Sequence, residues 1–96
     1  MADDPFKYFR VEARELLDQM ARGALDLERP EAVGAVMPHM LRLAHTMKGA
    51  ARVVKQREIA DLAHALEDAL GPFRAAEGPV PRATVDVVLR LLDSMR

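Results

Sequence analysis

The residues best suited to chemistry in this 96-residue chain lie around His45. Residues three, four and seven positions apart share one face of a helix, so Lys48, Gly49 and Arg52 are expected on the face of His45, with Leu41 one turn before it. Glycine in mid-helix costs about 1 kcal/mol relative to alanine, and it leaves bare backbone that another molecule can approach. An exposed imidazole beside an ammonium could accept a phosphoryl group there.

A second group of polar residues lies downstream, where His64, Glu67 and Asp68 occupy one flank of an apolar helix pattern. If this helix is the antiparallel neighbour of the one that carries His45, Glu67 reaches the level of the imidazole. A carboxylate that accepts a hydrogen bond from Nδ1–H fixes the tautomer and leaves the Nε2 lone pair pointing outward. A neutral imidazole held in this way is a nucleophile.

The composition removes several other classes of function. Fourteen basic and fifteen acidic residues give a net charge of −1 without a polybasic segment, which disfavours nucleic acid and membrane surfaces as partners. The absence of cysteine excludes disulfides, thiolate zinc sites and cysteine nucleophiles. The apolar runs are far shorter than the ~20 residues of a membrane span, and no secretion leader is evident. A cytoplasmic location is expected.

The fold class follows from the abundance of helix-forming residues, since aromatic residues make up only 4% of the chain. Asp4 and Pro5 are typical of a helix start, and the first helix is predicted to end before Pro30. A second helix is predicted from Pro38 to about Lys55, because proline suits the first turn of a helix and not its interior. The residues between the two helices, near 31–36, are predicted to form a loop or a short extra helical turn.

A third helix is predicted after a polar connection at residues 56–58, ending near Gly78 and Pro79, and a fourth from about Pro81. Four amphipathic helices with short loops predict an all-α, antiparallel up-down four-helix bundle. The last residues lack a helix stop signal, so the single domain of residues 1–96 is expected to have been excised from a longer protein.

The sequence resembles the histidine phosphotransfer (HPt) domain, in particular the N-terminal phosphoacceptor domain of CheA-type chemotaxis histidine kinases. The resemblance rests on HTMKGAA at residues 45–51 and on LAHALE at residues 62–67. An isolated H-x-x-K-G motif is weak evidence. The second motif at this spacing, within a helical chain of this length, makes the resemblance specific.

The resemblance implies a role for each residue that matches the motifs. His45 would take the γ-phosphoryl group of ATP on Nε2 and pass it to an aspartate of a response-regulator receiver domain. Lys48 would stabilise charge on the phosphoryl oxygens, Glu67 would hold Nδ1, and His64 would line the same site. Phosphoryl transfer depends mostly on positioning and charge stabilisation, so a small exposed site is sufficient for a carrier.

The resemblance also implies partners, a receiver domain and a kinase ATP-binding domain. Gly49 would give a partner room to approach, and Arg52 and Leu41 would lie on the approach surface. We expect no cofactor or metal on this domain, since ATP and Mg²⁺ would be used by the partner domains. Without a glycine-rich phosphate loop, the isolated domain is expected to be a phosphocarrier that does not phosphorylate itself, whereas its parent protein would be a histidine kinase.

Several alternatives stay open at this point. The chain could be a stand-alone phosphorelay protein, or a non-catalytic docking or dimerisation module that would never carry acid-labile phosphate. A metal-binding bundle using His45, His64 and Glu67 is disfavoured because the Glu-x-x-His repeats of such bundles are missing. Gly49 could simply relieve crowding between helices, and Glu67 could simply pair with Lys48.

Overall fold

The computed structural model describes residues 4–75 and 79–96, which form four α-helices and one 3-10 turn. The helices are α1 (Pro5–Asp26), α2 (Pro30–Val53), α3 (Arg57–Leu70) and α4 (Arg82–Met95), and the 3-10 turn covers Gly71–Phe73. Each helix packs against the next along the chain, and α4 returns to α1, which closes the bundle. The all-α four-helix bundle is therefore confirmed.

The core runs along the inside of this elongated bundle, which measures 51 × 20 × 18 Å. Every fully buried side chain of the described residues is apolar, and methionine and leucine supply most of the volume. The largest are Met20, Leu27, Met37, Met40, Met47, Leu66, Leu70 and Leu92. Because the interior holds no charged group among these residues, polar chemistry is confined to the surface. None of the described helices is long and apolar enough to cross a membrane.

The start of α1 agrees with the sequence-based prediction. The carboxylate of Asp4 accepts a hydrogen bond of 3.0 Å from the backbone N–H of Phe6, and Pro5 occupies the first turn. Beyond the other end of α1, the buried Leu27 accepts a hydrogen bond of 3.4 Å from the N–H of Val80, just before α4. This contact ties the connection between α3 and α4 to the core.

The prediction that the second helix starts at Pro38 is wrong, because α2 begins at Pro30 and continues through Pro38. The segment near 31–36 is therefore helical, as the first turns of α2. An interior proline costs about 3 kcal/mol or more. Here Val33 and Met37 are each only 1% exposed, and burying two such side chains contributes roughly 3–6 kcal/mol. Core packing of the helical turns before Pro38 thus outweighs the proline.

The predicted limits of the third helix also need correction. The polar connection lies at residues 54–56 and α3 begins at Arg57. Lys55 adopts a left-handed conformation, with φ of 60°, and the N–H of Gln56 bonds back to the carbonyl of Ala51 at 2.8 Å. This closes α2 at Val53, two residues before the predicted end. At its other end α3 stops at Leu70, because Pro72 converts the chain to a 3-10 turn. Gly78 lies outside the described residues.

Candidate functional site

His45 stands on the solvent side of α2. The buried stripe of this helix includes Met40, Ala44 and Met47, which face the other helices and turn the imidazole outward. Its side chain is 74% exposed. The outward orientation expected from helical spacing is therefore what the fold produces.

Glu67 on α3 lies across from His45 and contacts two groups of α2. One carboxylate oxygen, Oε2, lies 3.6 Å from Nδ1 of His45. The other, Oε1, lies 2.6 Å from Nζ of Lys48. Oε1 is buried without a well-formed hydrogen bond within the described residues, and the ion pair with the Lys48 ammonium compensates its charge. The contact with His45 is longer than a hydrogen bond, as is common before a catalytic partner binds.

The ionisation of Glu67 reflects these two neighbours. Partial burial alone raises the pKa of the Glu67 carboxyl group, but the hydrogen bond and charge of Lys48, followed by the weaker effects of His45, outweigh it. The pKa of Glu67 consequently lies below its ordinary value. The carboxylate is ionised at neutral pH and can hold a proton on Nδ1 in place.

Gly49 lies one turn beyond His45 and is exposed. A Cβ atom at this position would have no neighbouring atom within 4 Å, whereas one at Gly23 would lie 2.5 Å from the Met40 sulfur. Crowding between helices therefore accounts for Gly23 and leaves Gly49 without a role inside the domain. The small surface at Gly49 is available to an approaching molecule.

An open cleft of about 600 Å³ borders His45. Two arginines, two polar side chains and two apolar ones line it together with the imidazole: Arg42, Arg74, Thr46, Glu67, Pro38 and Leu41. Sequence reasoning missed Arg42, although its position three residues before His45 was a usable signal. It also missed Arg74, which the 3-10 turn brings to the cleft and which has no helical spacing to His45.

The remaining predicted site residues are placed differently. Leu41 lines the cleft, as its helical spacing suggested. Arg52 is exposed on α2 but does not line the cleft. Nε2 of His64 lies 3.3 Å from Oδ2 of Asp68, one turn along α3, and His64 is not part of the cleft wall. The site roles of Arg52 and His64 stay predictions.

The geometry of the described residues does not support the alternative of a metal-binding bundle. Across residues 4–75 and 79–96, no three histidine, aspartate or glutamate side chains converge in a way that could hold an ion. Glu67 instead approaches His45 through Oε2 and pairs with the ammonium of Lys48 through Oε1. The arrangement is that of a positioned imidazole.

Comparison with known proteins identifies the family of this helical bundle. Residues 6–96 match the Hpt domain family, a span that includes every residue of the site. The chain belongs to the Hpt domain family. The phosphotransfer function implied by the two motifs is therefore shown at the level of the family.

Curated relatives of this Hpt domain are signalling proteins. The chain is 31% identical over 94 residues to the chemotaxis protein CheA of Treponema pallidum, covering 98% of this chain and 12% of that protein. It is 31% identical over 88 residues to the sensor histidine kinase CheAY of Helicobacter pylori, covering 92% and 11%. It is 38% identical over 87 residues to a gliding motility regulatory protein of Myxococcus xanthus, covering 91% and 11%. No solved structure gives a significant match.

Proposed function

We propose that His45 is the phosphoacceptor of this Hpt domain, receiving a phosphoryl group that originates from ATP and passing it to an aspartate of a receiver domain. The observation that carries the proposal is the combination of an exposed imidazole with a carboxylate on one side of its ring. Glu67 Oε2 lies 3.6 Å from Nδ1, while the side chain of His45 is 74% exposed. Nε2, on the opposite side of the ring, is the nitrogen left for a phosphoryl group.

In the proposed first step the Nε2 lone pair attacks the γ-phosphorus of ATP. The Nε2–P bond forms as the bond to the leaving ADP oxygen breaks, and the ring retains its proton on Nδ1. The ring then carries positive charge, which the ionised Glu67 stabilises. In the second step an aspartate oxygen attacks the phosphorus, the P–Nε2 bond breaks, and the neutral imidazole returns.

In the proposal, Lys48 assists both phosphoryl transfers through its contact with Glu67. Its ammonium lies 2.6 Å from Oε1 of Glu67, and its side chain is only 13% exposed. It holds the carboxylate in place while adding positive charge near the site where phosphoryl oxygens gather. Gly49 and Arg52 lie further along α2, on the surface that a partner domain would approach.

The proposal assigns ATP and Mg²⁺ to a separate kinase domain, because the described residues offer only an exposed cleft beside the imidazole. The partners are therefore the ATP-binding domain of a histidine kinase and a receiver domain, and the location is the cytoplasm, where ATP is supplied. This domain itself requires no cofactor.

The parent protein is proposed to be a CheA-type kinase. The chain spans roughly an eighth of the length of the curated relatives that it matches, 12% in the case of the Treponema pallidum CheA. A stand-alone phosphorelay protein is the second reading, and the length of the parent chain would distinguish the two.

The test is phosphorylation by a CheA kinase domain with radiolabelled ATP. Wild-type protein is expected to gain acid-labile, base-stable label, and His45→Gln is expected to lose it. His39→Gln is the matched control, because His39 is an exposed histidine on the same helix. If His45→Gln is labelled as strongly as the wild type, the assignment is wrong.

A further inference from the structure

We propose that Arg42 and Arg74 bind the phosphoryl group once His45 carries it, and so set the lifetime of the phosphohistidine. This inference rests on the proposed function of His45. It assigns a role to two residues that neither sequence motif contains. It also explains why the cleft beside the imidazole has arginines from two different parts of the chain.

The starting point is that Lys48 is already engaged. Its ammonium lies 2.6 Å from Glu67 Oε1, and the side chain is mostly shielded from solvent. Moving it onto a phosphoryl oxygen would leave Oε1 buried without a compensating charge, which is costly. Other cations must therefore meet the phosphoryl oxygens directly.

Arg42 and Arg74 are placed for this contact. Both line the cleft that His45 borders, and both are exposed. Arg42 is three residues before His45 on α2, so their Cβ atoms are neighbours about 5–6 Å apart. Within residues 4–75 and 79–96, neither guanidinium forms an ion pair.

The charges around the cleft favour an anion. The lining contains two arginines and one carboxylate, that of Glu67. The ion pair with Lys48 compensates the charge of this carboxylate. Thr46 adds a hydroxyl group that can donate a hydrogen bond. Leu41 and Pro38 form the apolar part of the lining and add no charge to it. Guanidinium groups bind phosphate oxygens through two parallel donors.

Binding of this kind has a consequence for stability of the P–Nε2 bond. Hydrolysis of a phosphoryl group proceeds through a loose transition state that resembles metaphosphate. The phosphoryl oxygens carry less negative charge in that state than in the dianion. Cations bound to them therefore stabilise the ground state more, and slow the attack of water that releases inorganic phosphate.

The experiment loads the protein with phosphoramidate, which transfers its phosphoryl group to histidine as the P–N bond breaks and ammonia leaves. Phosphorus NMR then follows the phospho-His45 signal, which is identified by its absence in His45→Gln. The pH dependence of this signal gives the second ionisation of the phosphoryl group, and its decay at neutral pH gives the rate of hydrolysis. The variants are Arg42→Gln, Arg74→Gln and the double variant. Arg90→Gln is the control, because Arg90 is exposed on α4 and does not line the cleft.

Each cleft variant is expected to raise the ionisation midpoint by about 0.2–0.7 pH units, the shift that corresponds to an exposed ion pair. Hydrolysis is expected to become about two- to five-fold faster, more so in the double variant, with Arg90→Gln unchanged. An unchanged midpoint and lifetime in the double variant would overturn the inference while leaving His45 as phosphoacceptor. Absence of the His45 signal in the wild type would contradict the proposed function itself.

Discussion

Glu67 connects the two motifs of this domain, because its two oxygens have different partners on α2. One faces Nδ1 of His45 at 3.6 Å and the other faces Nζ of Lys48 at 2.6 Å. The carboxylate therefore pairs with the lysine and lies close enough to the imidazole for the orienting role that we propose for it. The structure shows the ion pair between Glu67 and Lys48 that the sequence left open, and the role of Glu67 as the partner of the imidazole stays a prediction.

The lowered pKa of Glu67 predicts a pH-dependent contribution to stability. A carboxyl group whose pKa is lower in the folded state stabilises the protein at pH values above the ordinary pKa of 4.5. This stabilisation is lost as the pH falls through the pKa of the folded state. Glu67→Gln should therefore lower the free energy of unfolding by about 1 kcal/mol at pH 7. At pH 3 the two proteins should differ less. Urea unfolding at the two pH values measures this, and an equal loss at both would contradict the ion-pair account.

At the scale of the element, α2 is the helix that presents the site. Its apolar stripe buries Met40, Ala44 and Met47, and this fixes the outward direction of His45. The same helix has two exposed glycines, Gly34 and Gly49, at which a Cβ atom would meet nothing within 4 Å. Only Gly49 lies beside the imidazole, and this makes the pair suitable for a controlled comparison.

Gly49→Gln should stabilise the domain by about 0.5 kcal/mol, because glutamine is the better helix former. It should also slow phosphoryl transfer roughly ten-fold or more, since small displacements of a partner from the reacting geometry are costly. Gly34→Gln is the control. It should stabilise to a similar extent without changing transfer, because residue 34 lies about 16 Å along the helix from His45. Equal transfer rates in the two variants would remove the steric role of Gly49.

The helices themselves could be predicted from sequence because their apolar residues recur with helical spacing, as in α1 from Phe9 to Ala24. The residues at which the helices begin and end could not be predicted, since they depend on the balance between backbone preference and core packing. Pro38 indicated a helix start, and only the burial of Val33 and Met37 shows that packing overrides the proline. Lys55 has φ of 60°, a conformation that its residue type does not suggest.

Only part of the candidate site could likewise be predicted from the sequence. His45, Lys48 and Gly49 share one helix, so their proximity follows from spacing alone. Glu67 required the additional assumption that α2 and α3 are antiparallel neighbours, which the fold confirms. Arg74 could not be predicted, because its position depends on the 3-10 turn that follows α3. His64 has helical spacing to Glu67 but contacts Asp68 instead.

In the molecule as a whole, the bundle has an apolar interior and carries the candidate site on one flank. The bundle measures 51 × 20 × 18 Å, and the exposed His45 borders an open cleft on the side formed by α2 and α3. An exposed nucleophile of this kind suits a carrier that meets two partners in turn, since each must reach the same nitrogen. In the proposed function, ATP held by a separate kinase domain would supply the energy for the first transfer.

Whether His45 is the phosphoacceptor is decided by NMR of the isotopically labelled chain, incubated with Mg²⁺-ATP, before and after addition of a CheA kinase domain. We expect no phosphohistidine in the isolated chain with Mg²⁺-ATP alone. After addition, we expect one phosphoryl group on Nε2 of His45, because Glu67 holds Nδ1. Phosphorylation of Nδ1, of His39 or His64, or of the isolated chain without the kinase domain would contradict the proposal.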